Sequence, residues 1–325
     1  MPRSRLLPDN FTLALLVTVA LASLLPAHGD AARFFEQLTT LAIGLLFFLH
    51  GAKLSREAIV SGITHWRLHL LVFACTFVLF PVLGVALKPV LSSLVTPALY
   101  TGVLFLCVLP ATVQSAIAFT ALGGGNIAAA VCSASASTLL GVFVTPLLAN
   151  LLVVHGQGGS SLESIGHILL QLMVPFVAGH LLRPWIGEFV GKHKTALTLV
   201  DRGSILLVVY TAFSAAVVEG LWSHIPLSAL AGLLVVCAVL LALALATSRF
   251  AARRLGFSKP DEVTIVFCGS KKSLASGVPM AHVLFSASAA GAVVLPLMLF
   301  HQLQLMVCAV LAQRYSGRTA APAAG

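Results

Sequence analysis

The sequence predicts an all-α polytopic membrane protein of ten transmembrane helices, arranged as two five-helix halves of inverted topology. Three observations predict it. The first is composition: 59% of the 325 residues are hydrophobic and 9% charged, with a mean hydropathy of +1.03, where a soluble domain carries about 25% charge. The second is the succession of apolar stretches close to the ~20 residues that one crossing needs. The third is the placement of cations. With the N-terminus in the cytoplasm, the inner segments hold fifteen Lys and Arg, among them Arg3, Arg5, Lys53, Arg56, Arg202, Arg253 and Lys259, and the outer ones only Arg33 and Lys88. That asymmetry follows the positive-inside rule. It also accounts for the net charge of +9 without a nucleic-acid partner.

The spans are placed at 11–27, 34–51, 68–87, 98–121, 126–154, 165–182, 197–218, 226–248, 261–284 and 289–312. The first follows Arg3 and Arg5 and ends before Pro26-Ala27-His28-Gly29, a pattern that also fits a secretory signal. Cleavage there would leave an odd number of spans and break the charge alternation, so the helix is read as retained. The third span carries Thr76 five residues before Pro81. The fourth contains Leu109-Pro110-Ala111-Thr112-Val113-Gln114-Ser115-Ala116, polar and Pro-interrupted at mid-membrane. The fifth opens with Asn126 after Gly123-Gly124-Gly125, an N-cap pattern, and sets Ser133 and Ser137 on nearly one face. Small residues at that spacing, Ala130 included, equally serve close helix packing. The division falls near 155–164, where His155-Gly156-Gln157-Gly158-Gly159-Ser160-Ser161 is flexible and lacks Lys and Arg. Residues 1–155 are read as the first repeat, 156–318 as the second and 319–325 as a short tail.

The ninth span, Phe267-Cys268-Gly269-Ser270-Lys271-Lys272-Ser273-Leu274-Ala275-Ser276-Gly277-Val278-Pro279, is as interrupted as the fourth. A pair of interrupted segments in matching positions of two inverted halves marks a transporter binding site. Lys271 and Lys272 cost about 2.5–3.5 kcal/mol each at a helix centre on insertion scales, and no Asp or Glu lies at mid-membrane to pair with them. They would point about 100° apart on a helix. Such lysines lose a proton, meet an anion or bind carbonyls freed at a helix break. The tenth span adds His301, Gln302 and Gln304 in an apolar setting. Cys75, Cys107, Cys132, Cys237, Cys268 and Cys308 all lie within spans, which gives no disulfide framework. A Ser-Lys dyad at Ser270-Lys271 or Ser273-Lys272 is disfavoured because adjacent helix residues diverge, so the chain is read as no enzyme.

The strings FCGSKKSLASGVPM, LPATVQSAIAFTALGGGN and LPLMLFHQLQLMV resemble the SBF-like branch of the bile acid:sodium symporter family, the branch that includes the seventh member of solute carrier family 10. The resemblance runs from about residue 5 to 316. It implies a panel domain from helices 1, 2, 6 and 7, and a core domain from helices 3, 4, 5, 8, 9 and 10, in which helices 4 and 9 are broken and cross, here near Gln114-Ser115 and Lys272-Ser273. In sodium-coupled relatives one ion site uses a Ser-Asn pair on helix 4, hydroxyls on helix 5 and a Glu on helix 9; a second shares that Glu with a neighbouring Gln. This sequence departs from the pattern. Gln114 and Ser115 stand at the Ser-Asn pair, Ala130 and Ala134 at the hydroxyl positions, Cys268 near the Glu, Thr76 at a helix 3 Gln, and Lys272 and Ser273 at the Gln-Asn pair of the crossing.

The resemblance implies a secondary transporter of a small organic anion, sterol-like or sulfonated anions among its candidates, working by alternating access. The substrate-binding candidates are Thr112, Gln114, Ser115, Asn126, Lys271, Lys272, Ser273, Ser276, His301 and Gln304. The ion-binding candidates are Thr76, Gln114, Ser115, Ser133, Ser137 and Cys268. Exchange of an acid for lysines argues against the inherited sodium sites and for a fixed ammonium in place of the ion, with sodium-independent or proton-coupled transport. The alternatives are a sodium-coupled symporter and a membrane regulator of calcium handling. The expected partners are the anion and the bilayer, with no cofactor and no nucleic acid, in a monomer or homodimer. The expected location is a bacterial inner membrane with both termini cytoplasmic.

Overall fold

The computed structural model describes residues 10–53, 65–154 and 162–319, and every regular element among them is a helix. In chain order these are α1 (Asn10–Leu24), α2 (Gly29–Lys53), α3 (Trp66–Ala86), α4 (Pro97–Val108), α5 (Gln114–Leu122), α6 (Ile127–Ala149), α7 (Leu162–Lys192), α8 (Lys194–Val218), α9 (Leu227–Arg254), α10 (Lys259–Gly269), α11 (Leu274–Leu284) and α12 (Ala287–Thr319). The linker 155–161 and the inner cations Arg3, Arg5 and Arg56 lie outside the described residues. Among the described residues six helices, α2, α3, α6, α8, α9 and α12, are long and apolar enough to cross a membrane. Their outer faces keep Leu41, Leu70, Leu199 and Leu227 exposed. An apolar surface of that extent suits lipid, not water. The chain is a multi-pass membrane protein.

Local chemistry explains where helices start and stop. Thr96 caps α4, Asn126 caps α6 and Ser258 caps α10, each accepting a backbone N–H three residues on. α4 ends because Pro110 forces the residue before it out of the helical region: Leu109 sits at φ −73°, ψ 154°. The span expected at 98–121 is therefore two helices separated by Leu109–Val113, and the one expected at 261–284 is two helices separated by Ser270–Ser273. The first break falls ahead of the Gln114-Ser115 position expected from the sequence, at the proline itself. α3 contains a π-turn over Cys75–Leu79 immediately before Pro81, as single-turn bulges often do at functional positions. The expected span 165–182 runs on to Lys192.

Two groups of helices emerge from the packing. α1, α2, α7 and α8 pack on one another, and α3 to α6 pack with α9 to α12. α2 and α7 cross so closely that a Cβ on Gly51 would lie 1.9 Å from the Phe176 carbonyl oxygen, and one on Gly179 2.0 Å from that of Phe48. Small residues permit that approach. In the second group Phe80 meets Phe300 and Phe105 meets Phe285 edge to face. Glu262, buried at the start of α10, pairs with Arg249, Arg253 and Lys259 at 3.4, 3.1 and 2.7 Å and accepts from the Tyr315 hydroxyl at 3.2 Å, joining α9, α10 and α12. The groups meet chiefly where α8 lies on α11 and α12 and where α7 lies on α6.

Candidate functional site

Breaking a helix leaves carbonyls without N–H partners, and each must find another donor. At the end of α4 the Ala111 N–H goes to Ser137 Oγ at 3.0 Å, so the Cys107 carbonyl loses its helical partner. The Val108 carbonyl accepts from Thr145 Oγ1 at 2.8 Å, and the Pro110 carbonyl accepts from the Ser273 N–H at 2.9 Å. That leaves Cys107 and Leu109, and both accept from Lys272 Nζ at 2.8 Å. A third acceptor comes from α3. In its π-turn the Phe80 N–H bonds to the Cys75 carbonyl, and Pro81 has no N–H to give. The Thr76 carbonyl is thereby released, and it accepts from Lys272 Nζ at 2.8 Å.

Lys272 is fully buried, and its three ammonium hydrogens match three carbonyls. Its Nζ also lies 4.2 Å from the Phe80 ring centroid, in the range of a cation–π contact. Lys271, equally buried, diverges: its Nζ donates to the Ser115 carbonyl at 2.9 Å and sits 3.8 Å from the Phe119 ring centroid and 5.8 Å from that of Phe267. Carbonyl and aromatic faces stand where carboxylates would in a soluble core. The two breaks are thus bound together at mid-molecule, by Lys272 and by the Ser273 N–H.

Both second half-helices begin at a cavity of about 350 Å³. Gln114 opens α5 there; Ser273 caps α11, accepting from the Ser276 N–H at 3.2 Å. Thr112 and Ser115 share a hydroxyl hydrogen bond of 2.6 Å on the same wall. The facing wall comes from the other helix group: Phe11 of α1, His50 and Lys53 of α2, Phe176 of α7, and Asp201 and Arg202 of α8. Lys53 pairs with Asp201. The Arg202 guanidinium lies 5.4 Å from the Phe11 ring centroid. His50 donates from Nδ1 to the Leu46 carbonyl at 2.7 Å.

Of the residues singled out from the sequence, Thr112, Gln114, Ser115, Ser273, Ser276 and His301 line this cavity. Lys271, Lys272 and Gln304 lie behind it, fully buried. Asn126 sits at the far end of α5, donating to Asp261 at 3.1 Å and capping α6. Of the ion-binding candidates, Thr76 contributes its carbonyl to Lys272 and Ser137 holds Ala111. Ser133 bonds His69 Nδ1 at 2.7 Å, and Cys268 faces the Ala130 carbonyl at 4.0 Å. Asp201 and Arg202, loop-side charges by sequence position, also line this cavity. A signal was present: Asp201 is an acid within a predicted span, opposite the inner cation Lys53.

The SBF-like CPA transporter family model matches residues 9–317. A Pseudomonas aeruginosa protein described as uncharacterized is 68% identical over 319 residues, covering 98% of this chain and 96% of its own. YfeH of Escherichia coli, whose description proposes a symporter, is 62% identical over 315 residues, covering 96% and 94%. Sodium/bile acid cotransporter 7 of Xenopus tropicalis is 27% identical over 313 residues, covering 94% and 91%. These matches run through both helix breaks and both walls of the cavity, and the chain belongs to the SBF-like CPA transporter family.

Proposed function

We propose that the protein is a secondary active transporter of a small organic anion that works without sodium. The observation that carries the reading is the cavity between two helix groups onto which both interrupted helices open. Each half-helix N-terminus presents the positive end of a helix dipole, beside the hydroxyls of Thr112, Ser115, Ser273 and Ser276. On this reading the chain makes ten crossings in two inverted repeats, with α4–α5 and α10–α11 each counting as one. α1, α2, α7 and α8 form the panel, the other helices form the core, and motion between them alternates access. The cation asymmetry favours cytoplasmic termini, and two bacterial relatives favour a bacterial inner membrane.

Sodium independence rests on Lys272. Its ammonium, in a cage of three carbonyls, would stand at the crossing where a bound metal ion would otherwise have to neutralise the same oxygens. The anion then contacts the half-helix ends and hydroxyls, not Lys272, whose donors are all used. A cavity of about 350 Å³ lies within the size range of small-molecule sites. Neither Ser270 nor Ser273 is hydrogen-bonded to a lysine ammonium among the described residues: Ser270 Oγ donates to Val266 and Ser273 Oγ to Ser276. This favours transport over Ser-Lys chemistry.

The test is thermal stability of the purified protein against a panel of small carboxylates, sulfonates and phosphates, in sodium and in choline at equal ionic strength. A stabilising anion should act equally in both salts. A requirement for sodium would overturn the fixed-cation reading and favour a sodium symporter. Counterflow of the stabilising anion in proteoliposomes of the protein alone then separates a transporter from a regulator.

A further inference from the structure

α12 carries His301 and Gln304 nearly one turn apart, with His301 on the cavity wall and Gln304 fully buried behind it. The Gln304 carboxamide holds the Lys272 peptide from both sides. The Lys272 N–H donates to Oε1 at 2.9 Å, and Nε2 donates to the Lys272 carbonyl at 2.9 Å. This pair of hydrogen bonds to one residue's backbone fixes which amide atom is oxygen: the opposite orientation would set N–H against N–H and C=O against C=O. The remaining Nε2 hydrogen lies on His301 Nδ1, 2.9 Å away. Since an amide NH₂ only donates, His301 Nδ1 has to accept. Neutral His301 therefore carries its proton on Nε2, and a second proton has one place to go, the Nδ1 lone pair that Gln304 occupies.

We infer that His301 and Gln304 form a proton-sensitive latch on the α10–α11 break: a proton from the cavity binds His301 Nδ1 only when Gln304 releases the Lys272 peptide. In that step the N–H bond forms at Nδ1, the Gln304 hydrogen bond to it breaks, and the carboxamide turns away, giving up its hold on the Lys272 N–H and carbonyl. Gln304 is a positioning residue; His301 is the proton site. Charged and titratable groups face this site from the surrounding elements. They are His50 and Lys53 on α2, Asp201 and Arg202 on α8, and Lys271 and Lys272 at the break, while the Cys107 thiol of α4 lies against Gly84 of α3. α9 sets Cys237 against Pro296 and Arg249 near Tyr315, at other levels of α12, and His282 lies at the far end of α11. Among them His50 is the other cavity imidazole and is the control. The use of this latch in coupling rests on the alternating-access reading, whereas the tautomer and the latch stand on the geometry alone.

The experiment uses the full chain in lipid and needs no ligand. Nitrogen-15 histidine spectra, with His301→Gln assigning the resonance, should show His301 bearing its proton on Nε2 and none on Nδ1 at neutral pH. Hydrogen exchange of the segment 268–276, corrected for the intrinsic pH dependence of amide exchange, should lose protection at least tenfold over the pH range in which His301 becomes doubly protonated. Protection should be independent of pH in His301→Gln and behave as wild type in His50→Gln. A proton on Nδ1 in the neutral form overturns the latch, and so does unchanged protection of 268–276 on protonation of the wild-type protein. The exchange measurement on wild type decides the matter even where His301→Gln does not fold. A pH response retained in His301→Gln also overturns it. Absence of anion counterflow with tautomer and exchange behaviour as stated would overturn the transport reading and leave the latch supported.

Discussion

At the scale of single residues, the two adjacent lysines differ in how they are satisfied. Lys272 gives its ammonium hydrogens to three backbone oxygens, and Lys271 gives one to Ser115 and faces two aromatic rings. Replacing Lys272 by Met strands three buried acceptors, each carrying a desolvation cost of about 1–3 kcal/mol. Removing one partner of a buried charged contact typically costs about 3–5 kcal/mol. Replacing Lys271 by Met strands one carbonyl and exchanges a cation–π contact for an apolar one. The expected order of thermal midpoints in detergent is wild type, then Lys271→Met, then Lys272→Met lowest by several degrees. Equal midpoints for the two variants would contradict the carbonyl cage. Charge-conserving Lys272→Arg should also fail, because a planar guanidinium does not present three hydrogens to three converging oxygens.

Elements are positioned by backbone approach as much as by side-chain burial. The α2–α7 crossing depends on Gly51 and Gly179, where an added Cβ meets a carbonyl oxygen at 1.9 and 2.0 Å. Carbonyls on a helix cannot swing aside as a flexible side chain can, so either alanine has to push the two helices apart. Overpacking of this kind typically costs about 1–3 kcal/mol. Gly51→Ala and Gly179→Ala should each lower the thermal midpoint, and the double variant should cost less than the sum, because helices already separated by one methyl accommodate the second. Strict additivity would mean that the two glycines serve independent contacts. Gly44, on the same helix with open space around its would-be Cβ, is the control and should tolerate alanine.

For the whole molecule, the cavity has one wall from each helix group, so any motion between the groups changes it. Thr138 and Ser135 of α6 line it from the core side and Thr198 of α8 from the other. The six native cysteines are buried and should react slowly, which permits single-cysteine probes in the native background. Thr138→Cys should react with a polar maleimide in the absence of ligand and be protected by the anion that stabilises the protein. A cysteine at Leu199, which is 67% exposed on the outer face of α8, should show no ligand effect. Equal labelling of Thr138→Cys with and without the anion would remove the cavity from the binding reaction.

Much of this architecture was legible in the chain because the bilayer leaves few solutions. Apolar runs near the length of one crossing and Pro, Gly or hydroxyl residues interrupting two spans are properties of local sequence, and both have a direct physical reading in lipid. The interrupted segments around Pro110 and Lys272 were found that way, as was the lack of a carboxylate for the lysines. The partners of Lys272 were not legible. Thr76 and Cys107 are separated from it by 196 and 165 residues, and they contribute backbone carbonyls, which carry no residue identity. Those oxygens are free only because a π-turn, a proline and Ser137 have each diverted an N–H elsewhere, and that accounting exists only once the helices are packed. The same holds for the second wall of the cavity, where His50, Asp201 and Arg202 arrive from helices distant in sequence. Composition and periodicity determined that the chain crosses a membrane and which two spans are interrupted; tertiary structure decided what the breaks bind, because hydrogen-bond satisfaction in lipid is settled between helices and not along one.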